Sequence, residues 1–357
     1  MRIYGYLKKN QDDFRTTPLN KADILIASWV AYFDFQTVEE RLPLKIRDFA
    51  NIPLYKKNDP YVSSFFPRFS RRFMHNLIIS NRFKDVTLID CEYVLDKKND
   101  AQFAVIALKM DERIVVAIRG TDPSYTGWKE DFIMSYKDRI HSYSLAESFI
   151  LNVINKHEGQ IILCGHSKGG NICTYLLSQL KDVSRIEHVY SFDGPGFRIQ
   201  GLFKGKEDRL EKFTKIIPHS SFVGVLFSNE TDVKIIRSGS LMLLQHNPFV
   251  WIIRNNDFIY LKKRTLSSRY LEKAINSWIN SLQESERERF TEIVFGELDK
   301  FEAQDFTIFF KKIMLQIRPV YKAYRGLNKE DKKLVKRVMR KLFRNLIKPE
   351  KKQIAQS

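Results

Sequence analysis

The chain has 357 residues, 43% of them hydrophobic and 13% aromatic, with a formal net charge of +18 and a pI near 9.6. This length and apolar content exclude a disordered chain and leave room for one large domain or two smaller ones. The three cysteines, Cys91, Cys164 and Cys173, form no C-x-x-C pair. They argue against a disulfide framework or a structural zinc site and fit a reducing compartment.

The first nine residues run into Gln11, Asp12 and Asp13 without the apolar core of a signal peptide, so a cytoplasmic location is expected. Pro18 to Asp23 opens a helix that continues through Tyr32; the apolar stretch from Ile24 to Phe35 is too short and too interrupted to span a bilayer. An aromatic and basic connector follows, with Phe65, Phe66, Arg68, Phe69, Arg71, Arg72 and Phe73. Aromatics interleaved with arginines suit nucleic acid, but no RNA-binding signature accompanies them, and a helix packed on a sheet is the preferred reading. Residues 1–85 therefore read as a helical and irregular segment.

From Val86 the pattern turns to strands. Strands are expected at 86–95, 102–108 and 114–118, separated by the polar turns 96–101 and 109–113, which makes an antiparallel meander. A helix over 144–155, a strand at 161–164, a helix over 171–180 and strands at 189–192, 213–217 and 233–236 complete an α/β arrangement with a mostly parallel central sheet. After about residue 262 only helical periodicity remains, near 267–282, 285–300, 304–317 and 328–347. Ser285 with Glu288 makes a capping box, and Arg318-Pro319 ends the third helix. The expected organisation is a domain over 1–262 and a helical extension over 263–357.

The excess charge is local. Residues 322–352 hold thirteen Lys or Arg against three acids, ten of the eighteen net charges. Leu334, Val335, Val338, Met339, Leu342, Phe343, Leu346 and Ile347 fall on one face of that last helix. A basic amphipathic helix can pack on its own protein with the charges in water, lie on an anionic membrane surface, or bind nucleic acid. Nucleic acid is the weakest of the three.

Gly165-His166-Ser167-Lys168-Gly169 spells G-x-S-x-G between the strand 161–164 and the helix 171–180, the context of a nucleophile elbow. A serine hydroxyl attacks a carbonyl only when it is held on a tight turn beside a base and beside donors for the developing oxyanion. On such a sheet the triad runs serine, acid, histidine, all at the carboxyl edge. His75, His141 and His157 precede the serine, His166 is expected to point back into the sheet, and His188 lies at the wrong edge. His246, in a Pro-terminated turn after the last strand, is the preferred base, with His219 second. Asp193, at the end of the strand 189–192, is the preferred acid, although an Asp before Gly also caps turns. Asp232, at the start of the strand 233–236, is the alternative. The amide of Lys168 and the loop Arg119-Gly120-Thr121-Asp122 are candidates for the oxyanion hole, with both the amide and the hydroxyl of Thr121 as donors.

Residues 117–122, then Trp128 with Asp131, then 165–171 resemble the core of class 3 (fungal-type) lipases. With residues 191–197, 217–221 and 244–249 added, the chain resembles more closely an uncharacterised bacterial α/β-hydrolase family related to those lipases, over roughly residues 4–255. The resemblance implies an α/β-hydrolase fold, Ser167 as nucleophile, His246 as base, and Thr121 and Lys168 in the oxyanion hole. It departs at the acid, because class 3 lipases place Asp after the strand corresponding to 213–217, where this chain has Pro218-His219-Ser220-Ser221. An acid on the preceding strand end, as in pancreatic lipases, matches Asp193. Lys168, where lipases often carry Leu, puts a charge beside the elbow that favours anionic substrate groups.

The expected activity is cleavage of a carboxylic ester, a lipid or another acyl ester, with no metal or organic cofactor. The competing expectation is a non-catalytic hydrolase-fold module that binds lipid or a partner through the basic helices.

Overall fold

Asn20 starts the first long helix by accepting the amides of Ala22 and Asp23, while the Asp23 carboxylate returns a bond to the Asn20 amide. This capping box opens α2 (Lys21–Val30), which follows α1 (Ile3–Lys9) and is buried along most of its length. Such burial agrees with its nearly continuous apolar sequence. The computed structural model describes residues 1–33, 35–51, 67–227, 232–299, 321 and 324–347. A third helix, α3 (Pro67–Ile78), contains part of the aromatic and basic connector, and Phe73 is fully buried in it. Phe65 and Phe66 lie outside the described residues. The amino-terminal segment is tied down by a buried ion pair, Arg82 to Asp23 at 2.6 Å.

Among the described residues nine strands form one sheet: β1 (Leu44–Lys45), β2 (Thr87–Asp96), β3 (Ala101–Met110), β4 (Arg113–Ile118), β5 (Gln160–His166), β6 (Ile186–Phe192), β7 (Phe213–Pro218), β8 (Val233–Ile236) and, after the small hairpin β9 (Ile253–Arg254) and β10 (Asp257–Phe258), β11 (Tyr260–Leu261). Strands β1 to β4 pair antiparallel, β4 to β8 parallel, and β11 closes the edge antiparallel. This is the expected α/β-hydrolase arrangement, meander first and parallel strands after. The two-residue strands β1, β9, β10 and β11 are additions to the sequence reading, since so short a strand carries no alternation to detect.

The sheet is covered on both faces, as its parallel part requires. Alternate residues such as Val115, Ala117, Ile162, Cys164 and Phe192 face α1, α2 and α3. Their neighbours Val116, Ile118, Ile161, Leu163 and Val189 face α5 (His141–Lys156) and α6 (Lys168–Gln179). Between β4 and α5 lies the short helix α4 (Tyr125–Ile133). All three cysteines are free thiols inside this double core, and burial pushes those of Cys164 and Cys173 up.

Helices α7 (Leu266–Asn280), α8 (Glu284–Asp299) and α9 (Lys329–Ile347) follow. Leu334 and Val338 of α9 are buried with Leu282 and Ile293 in a small core of their own, and Asp331 pairs with Arg289 of α8 at 2.8 Å. Leu334 and Val338 thus lie against neighbouring helices, whereas Phe343 and Ile347, expected on the same face, are exposed on the other side of the helix, because 100° per residue carries them away from the Leu334 stripe. The expected helix over 304–317, the Arg318-Pro319 stop and residues 348–352 lie outside the described residues. No helix among the described residues is long and apolar enough to cross a membrane.

Candidate active site

Strand β5 ends at His166, and Ser167 turns the chain with φ 58° and ψ −132°, a region an L-residue occupies only when its surroundings enforce it. Two glycines provide the room. A Cβ on Gly165 would lie 2.3 Å from the carbonyl carbon of Gly169, and one on Gly169 would lie 2.1 Å from the Ile118 oxygen. Strand, turn and helix therefore cross at backbone contact, and the Ser167 amide is fixed by a 2.9 Å bond to the Phe192 carbonyl. Ser167 is partly exposed at the head of α6, where the first amides of the helix, Lys168 among them, have no carbonyl partner within it.

His246 ends a 3₁₀ turn, Met242–His246. Its Nδ1 lies 2.7 Å from Oδ2 of Asp193, whose side chain is fully buried while that of His246 is 29% exposed. The other carboxylate oxygen of Asp193 accepts the Ser221 hydroxyl at 2.5 Å and the Gly224 amide at 3.2 Å. Asp193 adopts φ 49°, with its amide bonded to the Ile216 carbonyl. Ser221 occupies the segment where the lipase resemblance expects the acid. That segment instead supplies a hydroxyl to Asp193, at the end of the preceding strand. Burial pulls the amine of Lys215, on β7, down to about 7, and the nearby Asp193 carboxylate opposes the shift.

The alternative residues are placed elsewhere. Asp232 is exposed at the start of β8, away from the carboxyl edge. His219 accepts the Ser238 amide at Nδ1, 3.3 Å away, and its own amide bonds to Ile236. Its Nε2 lies 3.3 Å from the Gln245 side-chain amide nitrogen, so it braces the turn that carries His246.

The Gly120 loop touches the elbow, since a Cβ on Gly120 would sit 2.9 Å from the Cβ of Ser167. This brings the Thr121 amide to the serine's side of the sheet edge. The Thr121 hydroxyl lies 2.8 and 2.7 Å from the two oxygens of Asp131. It has one proton, which that carboxylate takes, so the amide is the donor left for an oxyanion. Burial pushes the Asp131 carboxyl up to about 6, although the Lys168 charge and the Thr121 bond pull the other way.

Lys168 corrects one expectation. Its Nζ is buried, 2.6 Å from Glu130 Oε2 and 2.8 Å from the Gln102 carbonyl. Glu130 also accepts the Ser142 hydroxyl at 2.6 Å and the Gln102 amide at 3.1 Å. This charge ties α4, α5 and α6 to β3, and no cation from Lys168 faces a substrate. An ion pair fully enclosed by its own protein leaves nothing with which to select anionic groups.

His166 is buried, in keeping with its inward-pointing reading, and its partners add to that reading. Alternation along β5 turns it to the α2 face, where the Tyr32 hydroxyl lies 2.9 Å from its Nδ1. Its Nε2 lies 2.7 Å from the carbonyl of His246. Burial holds the ring well below the usual histidine range, so it is neutral, with Nδ1 accepting from tyrosine and Nε2–H donating to the carbonyl. The indole N–H of Trp251 donates to the adjacent carbonyl, that of Gln245, at 2.7 Å. Two ring donors thus hold the turn that carries His246, whose own ring lies 4.4 Å from that of His166 between centroids. The G-H-S-x-G pattern contains this histidine, but only its partners reveal the role.

Among solved structures the chain is similar to the Lip2 lipase of Yarrowia lipolytica, at 17% identity over 42% of this chain and 65% of that one, with a TM-score of 0.30. It is also similar to lipase II of Rhizopus niveus, at 15% identity over 47% of this chain and 72% of that one, again with a TM-score of 0.30. The chain thus spans just under two thirds of the length of the first. Similarity this shallow establishes neither substrate nor mechanism. No curated protein matches the sequence. The model of one family, described as Mbeg1-like, matches residues 77–296, from the end of α3 into α8 and past the boundary expected at 262. That match covers more than half of the chain, which therefore belongs to the Mbeg1-like family.

Proposed function

We propose that the chain is a serine hydrolase that cleaves carboxylic esters through an acyl-enzyme on Ser167. One observation carries the reading: His246 meets the buried Asp193 at 2.7 Å, and its ring lies 4.4 Å from that of His166, the residue that precedes the strained Ser167. In the reaction His246 takes the Ser167 proton through Nε2 as the hydroxyl oxygen attacks the ester carbonyl. Asp193 keeps the proton on Nδ1 and stabilises the imidazolium that forms. The amides of Thr121 and Lys168 hold the oxyanion, and the imidazolium passes its proton to the departing alkoxide. Water then attacks the acyl-enzyme with His246 as base again, releasing the acid and restoring the serine.

A fluorophosphonate probe tests the reading. Wild-type protein is expected to be labelled and to hydrolyse p-nitrophenyl butyrate, and Ser167→Ala is expected to do neither. An unlabelled wild type would overturn the activated serine and leave a non-catalytic binding module.

A further inference from the structure

Exposed apolar side chains gather where three segments meet. The turn that delivers His246 leaves Leu241 74% and Leu244 66% exposed. Gln245 of that turn accepts the Ser220 amide at 2.9 Å, and the Ser220 hydroxyl lies 3.0 Å from that of Thr265, the N-cap of α7. The next residue, Leu266, is 76% exposed. One turn further, the Tyr270 hydroxyl donates to the carbonyls of Leu346 and Ile347 at 2.6 and 3.0 Å, pinning the end of α9 to the start of α7. There Phe343 and Ile347 are 58% and 82% exposed. A line of short contacts thus runs from the turn bearing His246 to the tip of the basic helix. Apolar side chains grouped in this way mark an interaction surface.

Charge identifies the occupant. Lys262, Lys263 and Arg269 are exposed on either side of the start of α7. Lys333, Lys336, Arg340 and Arg344 are exposed on α9 at helical spacing, on the face that also carries Phe343 and Ile347. The opposite face, with Leu334 and Val338, is already buried. Cations beside exposed aliphatic and aromatic side chains fit anionic headgroups over an acyl layer. A nucleic-acid backbone would satisfy the cations and give the leucines and Ile347 nothing.

We propose that this face docks on an anionic lipid bilayer, with Leu266, Phe343, Ile347 and the leucines of the His246 turn entering the headgroup boundary and the α9 cations meeting lipid phosphates. The substrates would then be esters held in that surface; this last step rests on the hydrolase reading, whereas docking does not.

The test is flotation of the full-length chain, wild type and Ser167→Ala, with vesicles of phosphatidylcholine alone or mixed with phosphatidylglycerol. Both proteins are expected to float with the anionic vesicles only, and less so in high salt. Phe343→Ser with Ile347→Ser is expected to lower partitioning about tenfold or more. Lys336→Gln and Arg340→Gln should each lower it about fivefold. Unchanged thermal unfolding confirms that these exposed positions leave the fold intact. Failure to float, equal binding to both vesicle types, or wild-type binding by the Phe343→Ser, Ile347→Ser protein would overturn the proposal. Preference for duplex DNA that survives this double substitution would also overturn it, in favour of nucleic acid. Flotation without ester turnover would sink the hydrolase reading alone, and turnover without flotation would sink docking alone.

Discussion

The Ser167 elbow rests on two supports built by different physics. On the α2 side, Trp29, Tyr32, His166 and Trp251 form a neutral aromatic group whose hydroxyl and ring N–H donors run in a chain to the turn of His246. On the α4 and α5 side, Lys168 and Glu130 form a buried ion pair saturated by Gln102 and Ser142. The aromatic side aims the His246 carbonyl and hence the ring proposed as base. The charged side fixes helices and touches no reacting group. The aromatic support should therefore matter to rate and the charged one to stability.

The largest expected effect provides the scale. Asp193→Asn leaves the hydrogen-bond geometry and removes the charge behind His246, so kcat for p-nitrophenyl butyrate is expected to fall about 10⁴-fold with little change in stability. Next, Glu130→Gln leaves the Lys168 cation buried without its counter-charge, at a cost of about 3–5 kcal/mol in urea unfolding. Glu130→Met with Lys168→Met should recover most of that loss. If the double variant is as unstable as the single one, the charged support is more than a paired structural tie.

Asp131 sits between the two supports and makes a pH prediction. Its folded-state carboxyl titrates near 6, against about 3.9 when unfolded. The folded state therefore holds the proton more tightly, and stability from this group falls as pH rises from about 4 through 6, by up to about 3 kcal/mol. Asp131→Asn should flatten that slope and gain stability at pH 8. It should also slow turnover, because the Thr121 loop loses its charged acceptor. Unfolding measured from pH 4 to 8 decides, and an unchanged slope would remove Asp131 as its source.

The smallest effect is the most specific. The Tyr32 hydroxyl bonds the His166 ring and lies against Gly120, where an added Cβ would meet it at 2.4 Å. Tyr32→Phe should cost about 1 kcal/mol of stability. It should lower kcat several-fold while leaving KM and the midpoint of the pH–rate profile unchanged, the signature of misplaced rather than retuned groups. A shifted midpoint would mean that the aromatic support does more than position the turn.

Much of this architecture was legible in the chain itself. Val115 to Ile118 and Ile161 to Cys164 read as strands because they are continuous apolar runs buried on both faces. Asp193 and His246 followed from chain order and sheet edge, rules that hold without any contact being known. What escaped depends on partners far away in sequence. Lys168 read as a charge facing substrate beside the elbow because Glu130 is 38 residues distant. Ser221 carried no sign of a partner in the sequence because its acceptor, Asp193, follows another strand. His166 read as inward-pointing without its partners Tyr32, 134 residues away, and the His246 carbonyl, 80 residues away.

The placement of the thiols gives the molecule a reporter of its own. Cys164 and Cys173 stand three residues before and six after Ser167, both fully buried and both held as unreactive thiols. A thiol reagent can modify them only when strand and helix part, so the alkylation rate measures how often the elbow opens. That clock runs whether or not any ester is present, and it separates a variant that has lost its chemistry from one that has lost the shape on which the chemistry depends.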